Sequence, residues 1–312
     1  MNRRDFLRFG ATAAPLLLAP GLVSSAFGRG RADVRLTILH TNDMHSRLDP
    51  FPLDGLPTAG KGGMARRAAL IKQIRAEAAA QGGHVLLLDC GDIWQGTPYF
   101  NFYGGELEYR LMSAMGYDAA TLGNHDFDNG LEGLVKQLPN AAFPFLSANY
   151  DFSGTPLAGR FQPRRVFERG GVRVGVFGVG IELAGLVPDA KFGATRYLDP
   201  VAVAEQQVKA LREVEKVDFV ICLSHLGYAY DTDKIDDRKL ATRVAGMDLI
   251  LGGHTHTFLD APQPVAGPGG WRTLINQVGW AGLNLGRFDV TFRRGKPLST
   301  TAAVLPVGPS VG

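Results

Sequence analysis

Three features of the 312-residue chain predict an α/β fold. From Val34 onward, short continuous apolar runs alternate with amphipathic stretches. The runs are Leu-rich or β-branched, as strands covered on both faces are. Five of them lead straight into Asp, Asn or His, and strand carboxyl ends are where open α/β sheets bind ligands. Strands are predicted at 34–39, 84–89, 119–122, 172–179, 217–223 and 248–251. Helices fill the gaps. The stretch 63–80 is Ala-rich with repeated Arg and Lys, 106–115 follows Gly104-Gly105, and 131–138 stops at Pro139, where proline disfavours continuation. Segments 200–214 and 238–244 complete the alternation. The last third changes character: 271–278 and 283–292 read as antiparallel strands separated by glycines. The Pro-, Ser- and Gly-containing tail from Gly295 reads as a loose end.

Composition excludes several classes. With 33 Lys and Arg against 30 Asp and Glu, the net charge is +3. Residues 1–28 carry three arginines and one aspartate, leaving the rest near neutral. A nucleic-acid polymer is not bound by bulk charge of that size. A 45% hydrophobic chain is not disordered. Two cysteines, Cys90 and Cys222, exclude a disulfide scaffold. Both end apolar runs and read as buried thiols, with a single disulfide or a redox role as alternatives.

The opening MNRRDFLRFG and the apolar stretch 11–23 resemble a twin-arginine export signal, with Arg3-Arg4 followed by Phe6-Leu7. Pro15, Pro20 and Gly21 break the stretch, which is shorter than the roughly 20 residues of a stable membrane anchor. Cleavage is expected near Ala26 or Gly28. Twin-arginine export carries folded proteins, which implies a cofactor loaded in the cytoplasm and a periplasmic or secreted product. The domain expectation is a signal over 1–28 and a single domain over 29–312.

The strand ends collect five of the seven histidines. They deliver Asp43 and His45, then Asp92, then Asn124, His125 and Asp126, then His225, then His254 and His256. His40 and His84 fall inside strands. Each cluster alone is weak, because Asp-x-His and His-x-His arise by chance. Together they are not a packing pattern, because apolar strands gain nothing by ending in buried charge. Four His, two Asp and one Asn exceed the needs of one ion and suit two first-row divalent metals. The absence of thiolate argues against a structural zinc site. Two carboxylates leave such a pair positively charged, matched to a phosphate-like dianion. Two metals roughly 3.5–4 Å apart can hold a bridging hydroxide and clamp an in-line displacement.

The ordered set TNDMH, CGD, LGNHDFD, SHLG and GGHTH resembles the calcineurin-like metallophosphoesterases. ILHTND, GGELEYRLMSAMGYDAATLGNHDFDNG and LILGGHTH resemble their 5′-nucleotidase branch. The resemblance covers roughly residues 34–290. It implies a four-layer α/β/β/α sandwich with a dimetal site at strand carboxyl ends. It makes Asp43, His45 and His256 ligands of one metal, Asp92 the bridging carboxylate, and Asn124, His225 and His254 ligands of the second. It makes His125 and Asp128 a catalytic pair, the histidine stabilising the transition state or protonating the leaving oxygen and the aspartate orienting it. A non-ligand His beside the site suits general acid work near neutral pH. Asp126 stands where a Glu is common and reads as support behind the ligands or as a surface carboxylate. Asn42 either orients the first loop or makes a turn.

The implied activity is hydrolysis of a phosphate monoester, with a nucleotide as the expected substrate. Manganese is favoured for a protein folded in the cytoplasm; zinc, iron or cobalt also suit the ligands. The nucleotidase branch usually continues into a second domain that stacks the base between aromatic rings, and this chain stops where that domain would start. A separately encoded partner domain, or a wall built from Trp94, Tyr99, Phe100, Phe102 and Tyr103, are the substitutes; packing around a loop is the plainer role for those rings. Two other readings are a hydrolase of sulfur esters or thiosulfate conjugates, and a silent binding subunit. The last predicts missing ligands, and all seven are present.

Overall fold

Continuous apolar runs in the sequence become the inner strands of two facing sheets. The computed structural model describes residues 33–309, which form one compact unit. The proposed signal at 1–28 lies outside the described residues. The strands in chain order are β1 (Val34–Thr41), β2 (His84–Asp89), β3 (Ala119–Ala120), β4 (Tyr150–Asp151), β5 (Arg164–Arg169), β6 (Val172–Val179), β7 (Arg196–Tyr197), β8 (Phe219–Ser224), β9 (Leu249–Leu251), β10 (Gln263–Ala266), β11 (Arg272–Asn276), β12 (Asn284–Arg293) and β13 (Lys296–Pro306). The helices are α1 (Met64–Ala80), α2 (Pro98–Tyr103), α3 (Glu106–Met115), α4 (Gly130–Gln137), α5 (Asp189–Phe192), α6 (Pro200–Lys209) and α7 (Asp237–Arg243).

One sheet has the order β13-β12-β1-β2-β3, the other β10-β11-β9-β8-β6-β5. An apolar layer from Leu36, Ile38, Leu86 and Leu88 meets Val174, Val176, Ile221 and Leu223 between them. The outer face of the first sheet is covered through Ile71 and Ile74 of α1 and Met112 of α3. The outer face of the second is covered through Ala204 and Val208 of α6 and Leu240 of α7. This is the α/β/β/α sandwich. Strands β1, β2 and β3 run parallel, as do β6, β8, β9 and β11. Their carboxyl ends therefore gather along one edge of each sheet.

Two expectations are corrected. The tail from Gly295 is not loose: residues 296–306 form β13, antiparallel to β12 along the sheet edge. Arg294 and Gly295 both sit at positive φ (53° and 77°), as the two central residues of a type I′ hairpin turn must. The polar residues that suggested a tail are the exposed polar face of an edge strand. Pro297 sits at a register shift of that edge, where proline costs no ladder hydrogen bond. The strands predicted at 271–278 and 283–292 also belong to different sheets. The first runs parallel to β9 and antiparallel to β10, the second antiparallel to β1 and β13.

Cys90 and Cys222 are free and fully buried, which removes the disulfide alternative. His40 is a core residue: burial pushes its imidazole down to about 3, and Asn276 donates to its Nε2 at 3.3 Å. No helix among the described residues is long and apolar enough to cross a membrane.

Candidate metal centre

Each strand that ends at the shared edge hands its chain to a tight loop. After β1 the amide of Asp43 donates to Gly91 O (3.0 Å) and that of His45 to Asp92 O (3.1 Å), so the loops after β1 and β2 are zipped together. Asn42 orients the first loop, and is not just a turn former. Its side chain donates to Asp43 Oδ2 (2.6 Å) and Gly279 O (2.5 Å) and accepts from the Val278 amide (3.1 Å). Glycines allow the loops to close. A Cβ at Gly91 would lie 2.5 Å from Gly123 N, one at Gly123 would strike the Asp92 carboxylate, and one at Gly253 would lie 2.8 Å from His225 Nδ1.

Two triads result: Asp43, His45 and His256, and Asp92, His225 and His254, each with one donor atom per residue and all three atoms within 4.8 Å of one another. They abut. His225 Nε2 is 3.1 Å from Asp92 Oδ2 and 3.9 Å from Asp43 Oδ1; His45 Nε2 is 3.9 Å from Asp92 Oδ2. His45 Nε2 faces His256 Nε2 at 2.9 Å, and His256 Nε2 is 3.3 Å from Asp43 Oδ1. Asn124 Oδ1 meets His254 Nδ1 at 2.7 Å. All seven predicted ligands thus converge. The first sheet supplies Asp43, His45, Asp92 and Asn124, and the second supplies the other three. Asp43, His45, Asp92, His254 and His256 all have positive φ, a region that costs an ordinary side chain about 1–3 kcal/mol and concentrates at functional sites.

His125 lies beside the triads without joining them. Its ring stands edge-on to His45 with centroids 5.2 Å apart, its amide donates to Asp92 Oδ1 (2.7 Å), and its Nδ1 meets Asp128 Oδ2 at 2.9 Å. The Asp128 hydrogen bond holds this imidazole above the ordinary histidine range, against the opposing effect of burial.

A profile of the calcineurin-like phosphoesterases matches residues 36–258. The chain belongs to that family. It is 36% identical over 259 residues to the snake venom 5′-nucleotidase of Gloydius brevicauda, covering 80% of this chain and 42% of the relative. Among solved structures, the 5′-nucleotidase precursor of Thermus thermophilus superposes with a TM-score of 0.77 at 36% identity, over 88% of this chain and 55% of that one. The sulfate thiohydrolase SoxB of the same genus superposes at 0.73 with 25% identity, over 87% and 56%. The chain spans about half the length of the curated relatives it matches.

In this calcineurin-like phosphoesterase the donor set passes a physical test for divalent ions. His225 Nε2 is buried 3.1 Å from Asp92 Oδ2, while Nδ1 donates to Cys90 O at 2.6 Å. That bond fixes the ring's orientation and aims Nε2 into the site, the arrangement that metal-binding histidines adopt. Burial favours neutral His225, but the charges of Asp92 and Asp43 override it and push the group up to about 10. The site therefore calls for positive charge between these residues. Burial pulls His45 down, and pulls His254 down to about 4. Both are held neutral, the state that ligates.

Asp126 lies behind the triads and braces their loops. It is fully buried and accepts amides from Asp92 (3.1 Å), Ile93 (3.2 Å) and Gly123 (2.8 Å). Burial pushes its carboxyl up to about 7. Asp126→Ala leaves three donors unpaired and is expected to cost about 3 kcal/mol or more in metal-free stability. Urea unfolding checks this, and a loss under about 1 kcal/mol contradicts the bracing role.

The sequence reading missed Trp280. Its ring stacks on His256, with centroids 5.6 Å apart and planes 8° apart. A tryptophan in the Gly-flanked segment VGWAG after a strand was the available signal. Of the five aromatics proposed as a wall, Trp94 and Phe100 pack inside the core against each other (5.9 Å). Phe102 and Tyr103 are exposed, and Tyr99 donates to Asp49 Oδ2 at 2.7 Å.

Proposed function

We propose that this chain hydrolyses phosphate monoesters, nucleoside 5′-monophosphates foremost, with two divalent ions. The convergence of two complete Asp/His triads at the carboxyl ends of two sheets carries the reading. Asp43, His45 and His256 would hold one ion, Asn124, His225 and His254 the other, and Asp92, within reach of both triads, would contribute to each. Such a pair, when bound, would supply Lewis-acid charge for the phosphoryl oxygens and a lowered pKa for water. The protein supplies the rest. Asn42 and Asp126 hold the ligand loops. His125 donates a proton from Nε2 to the departing oxygen, and Asp128 fixes its Nδ1–H and stabilises the imidazolium. A sulfur-ester substrate is less favoured, since the thiohydrolase relative is 25% identical against 36% for the nucleotidases.

The test is release of inorganic phosphate from adenosine 5′-monophosphate by the purified protein. Activity is expected to vanish on chelation and to return with manganese. Absence of phosphate release with manganese, zinc, iron and cobalt in turn contradicts the reading. Export is tested separately. Replacing Arg3 and Arg4 by Lys is expected to strand the precursor in the cytoplasm, and unchanged periplasmic yield overturns the twin-arginine assignment.

A further inference from the structure

Asn42 holds the loop after β1, and Asp126 holds the loops that carry Asp92 and Asn124. His225 and His254 come from the other sheet, on the loops after the parallel neighbours β8 and β9. A further buried carboxyl stands at those two strand ends. It is Asp237, the first residue of α7, and no step of the proposed reaction uses it.

Asp237 meets both loops at residues that lead into the histidines. Ser224, immediately before His225, donates its hydroxyl to Asp237 Oδ1, and the Leu226 amide, immediately after His225, donates to Ser224 Oγ at 3.2 Å. The Asp237 amide donates to Gly227 O at 2.9 Å, so the chain on both sides of His225 is held from one residue. Oδ2 lies against Gly252, two residues before His254. A Cβ there would strike that oxygen, so only glycine lets the β9 loop come so close. Oδ2 has no hydrogen-bond partner among the described residues. A buried acceptor left unpaired is costly, and an apolar residue at the start of α7 would avoid that cost, so packing does not account for the carboxyl. The two imidazoles that these loops present stand edge-on, with centroids 5.3 Å apart.

We propose that Asp237 is a positioning residue for the second ion: by clamping Ser224 and abutting Gly252 it sets the spacing of His225 and His254, so that both nitrogens meet one cation. The inference rests on the two-ion reading and adds to it a residue outside the ligand set. Its action is selective. Ser224 and Gly252 lead into ligands of the second site, whereas the residues on either side of His256 are held by Gln277, which accepts from the Thr255 hydroxyl at 3.1 Å and from the Thr257 amide. Groups that orient metal ligands without touching the ion typically change affinity about 10- to 100-fold.

The experiment titrates cobalt(II) into metal-free protein by calorimetry, in two parent variants that each keep one site. His45→Ala keeps the second site and His225→Ala the first. Adding Asp237→Ala to His45→Ala should weaken cobalt binding about 10- to 100-fold. Adding it to His225→Ala should leave binding unchanged. Ser224→Ala should weaken the second site in the same direction. Asp237→Asn, which keeps an oxygen for the Ser224 hydroxyl, should restore most of the affinity. Equal losses at both sites make Asp237 a general packing residue and overturn the proposal, as does unchanged binding at the second site. If Asp237→Ala fails to fold, Ser224→Ala, which removes one hydroxyl, decides on the same terms. A wild-type chain that takes up two cobalt ions while the variants miss this pattern defeats the role of Asp237 alone. A wild-type chain that takes up one or none defeats the two-ion reading, and the assignment falls with it.

Discussion

Asp92→Asn is expected to weaken both metal sites at once and to lower kcat/KM by at least about 10³. The carboxylate lies within reach of both triads, 3.1 Å from His225 Nε2 and 3.9 Å from His45 Nε2. Burial alone would raise its pKa, but the charge and hydrogen bond of His225 hold it well below the usual carboxylate range. The substitution keeps the shape and the oxygen that accepts the His125 amide at 2.7 Å, so the loop persists. What disappears is one full negative charge in a water-poor pocket. Lewis-acid stabilisation of several kcal/mol depends on that charge, and each 1.4 kcal/mol is about tenfold in rate. Steady-state kinetics with elemental analysis of the same sample reads both effects. A variant with both ions tightly held and full activity contradicts the shared role of Asp92.

His125→Ala is expected to keep both ions and to lose roughly 10²–10⁴ in kcat on an alkyl phosphate. The residue is one-third exposed and hydrogen-bonded to Asp128, and its Nε2 has no partner among the described residues. A nucleoside or sugar alkoxide is a poor leaving group and needs a proton as the ester bond breaks. A nitrophenolate needs it far less, so the loss on p-nitrophenyl phosphate should be much smaller. Asp128→Asn should show a weaker deficit of the same pattern, since it orients and charges the imidazole without transferring the proton. Equal losses on alkyl and aryl substrates would assign His125 to electrostatic stabilisation. Loss of an ion would make it a ligand.

The inner strands were legible because both faces are covered and each residue contributes to the apolar run, as in VLLL of β2 and FVICL of β8. The edges were not. In β5 the arginines of RRVFER mask a half-buried pattern, and in β10 a proline sits within four residues. Edge strands carry about half the apolar signal of central ones. The convergence of these residues on one site was legible because Asp and His at the ends of apolar strands have no packing rationale. Its grouping rested on family resemblance, because His45 meets His256 across 211 positions only through the packing of two sheets. The positive φ of five of the proposed ligands was invisible, since none of them is glycine. Asp126 could be read either way until its three amide donors were seen.

The most direct measurement is the metal content of the protein after loading with manganese or zinc and removal of free ion. About two ions per chain are expected, one for each triad. His45→Ala and His225→Ala should each retain about one, and Asp92→Asn should hold both weakly. A wild-type chain that retains one ion or none, or a His225→Ala variant that still retains two, contradicts a dimetal centre built from these residues.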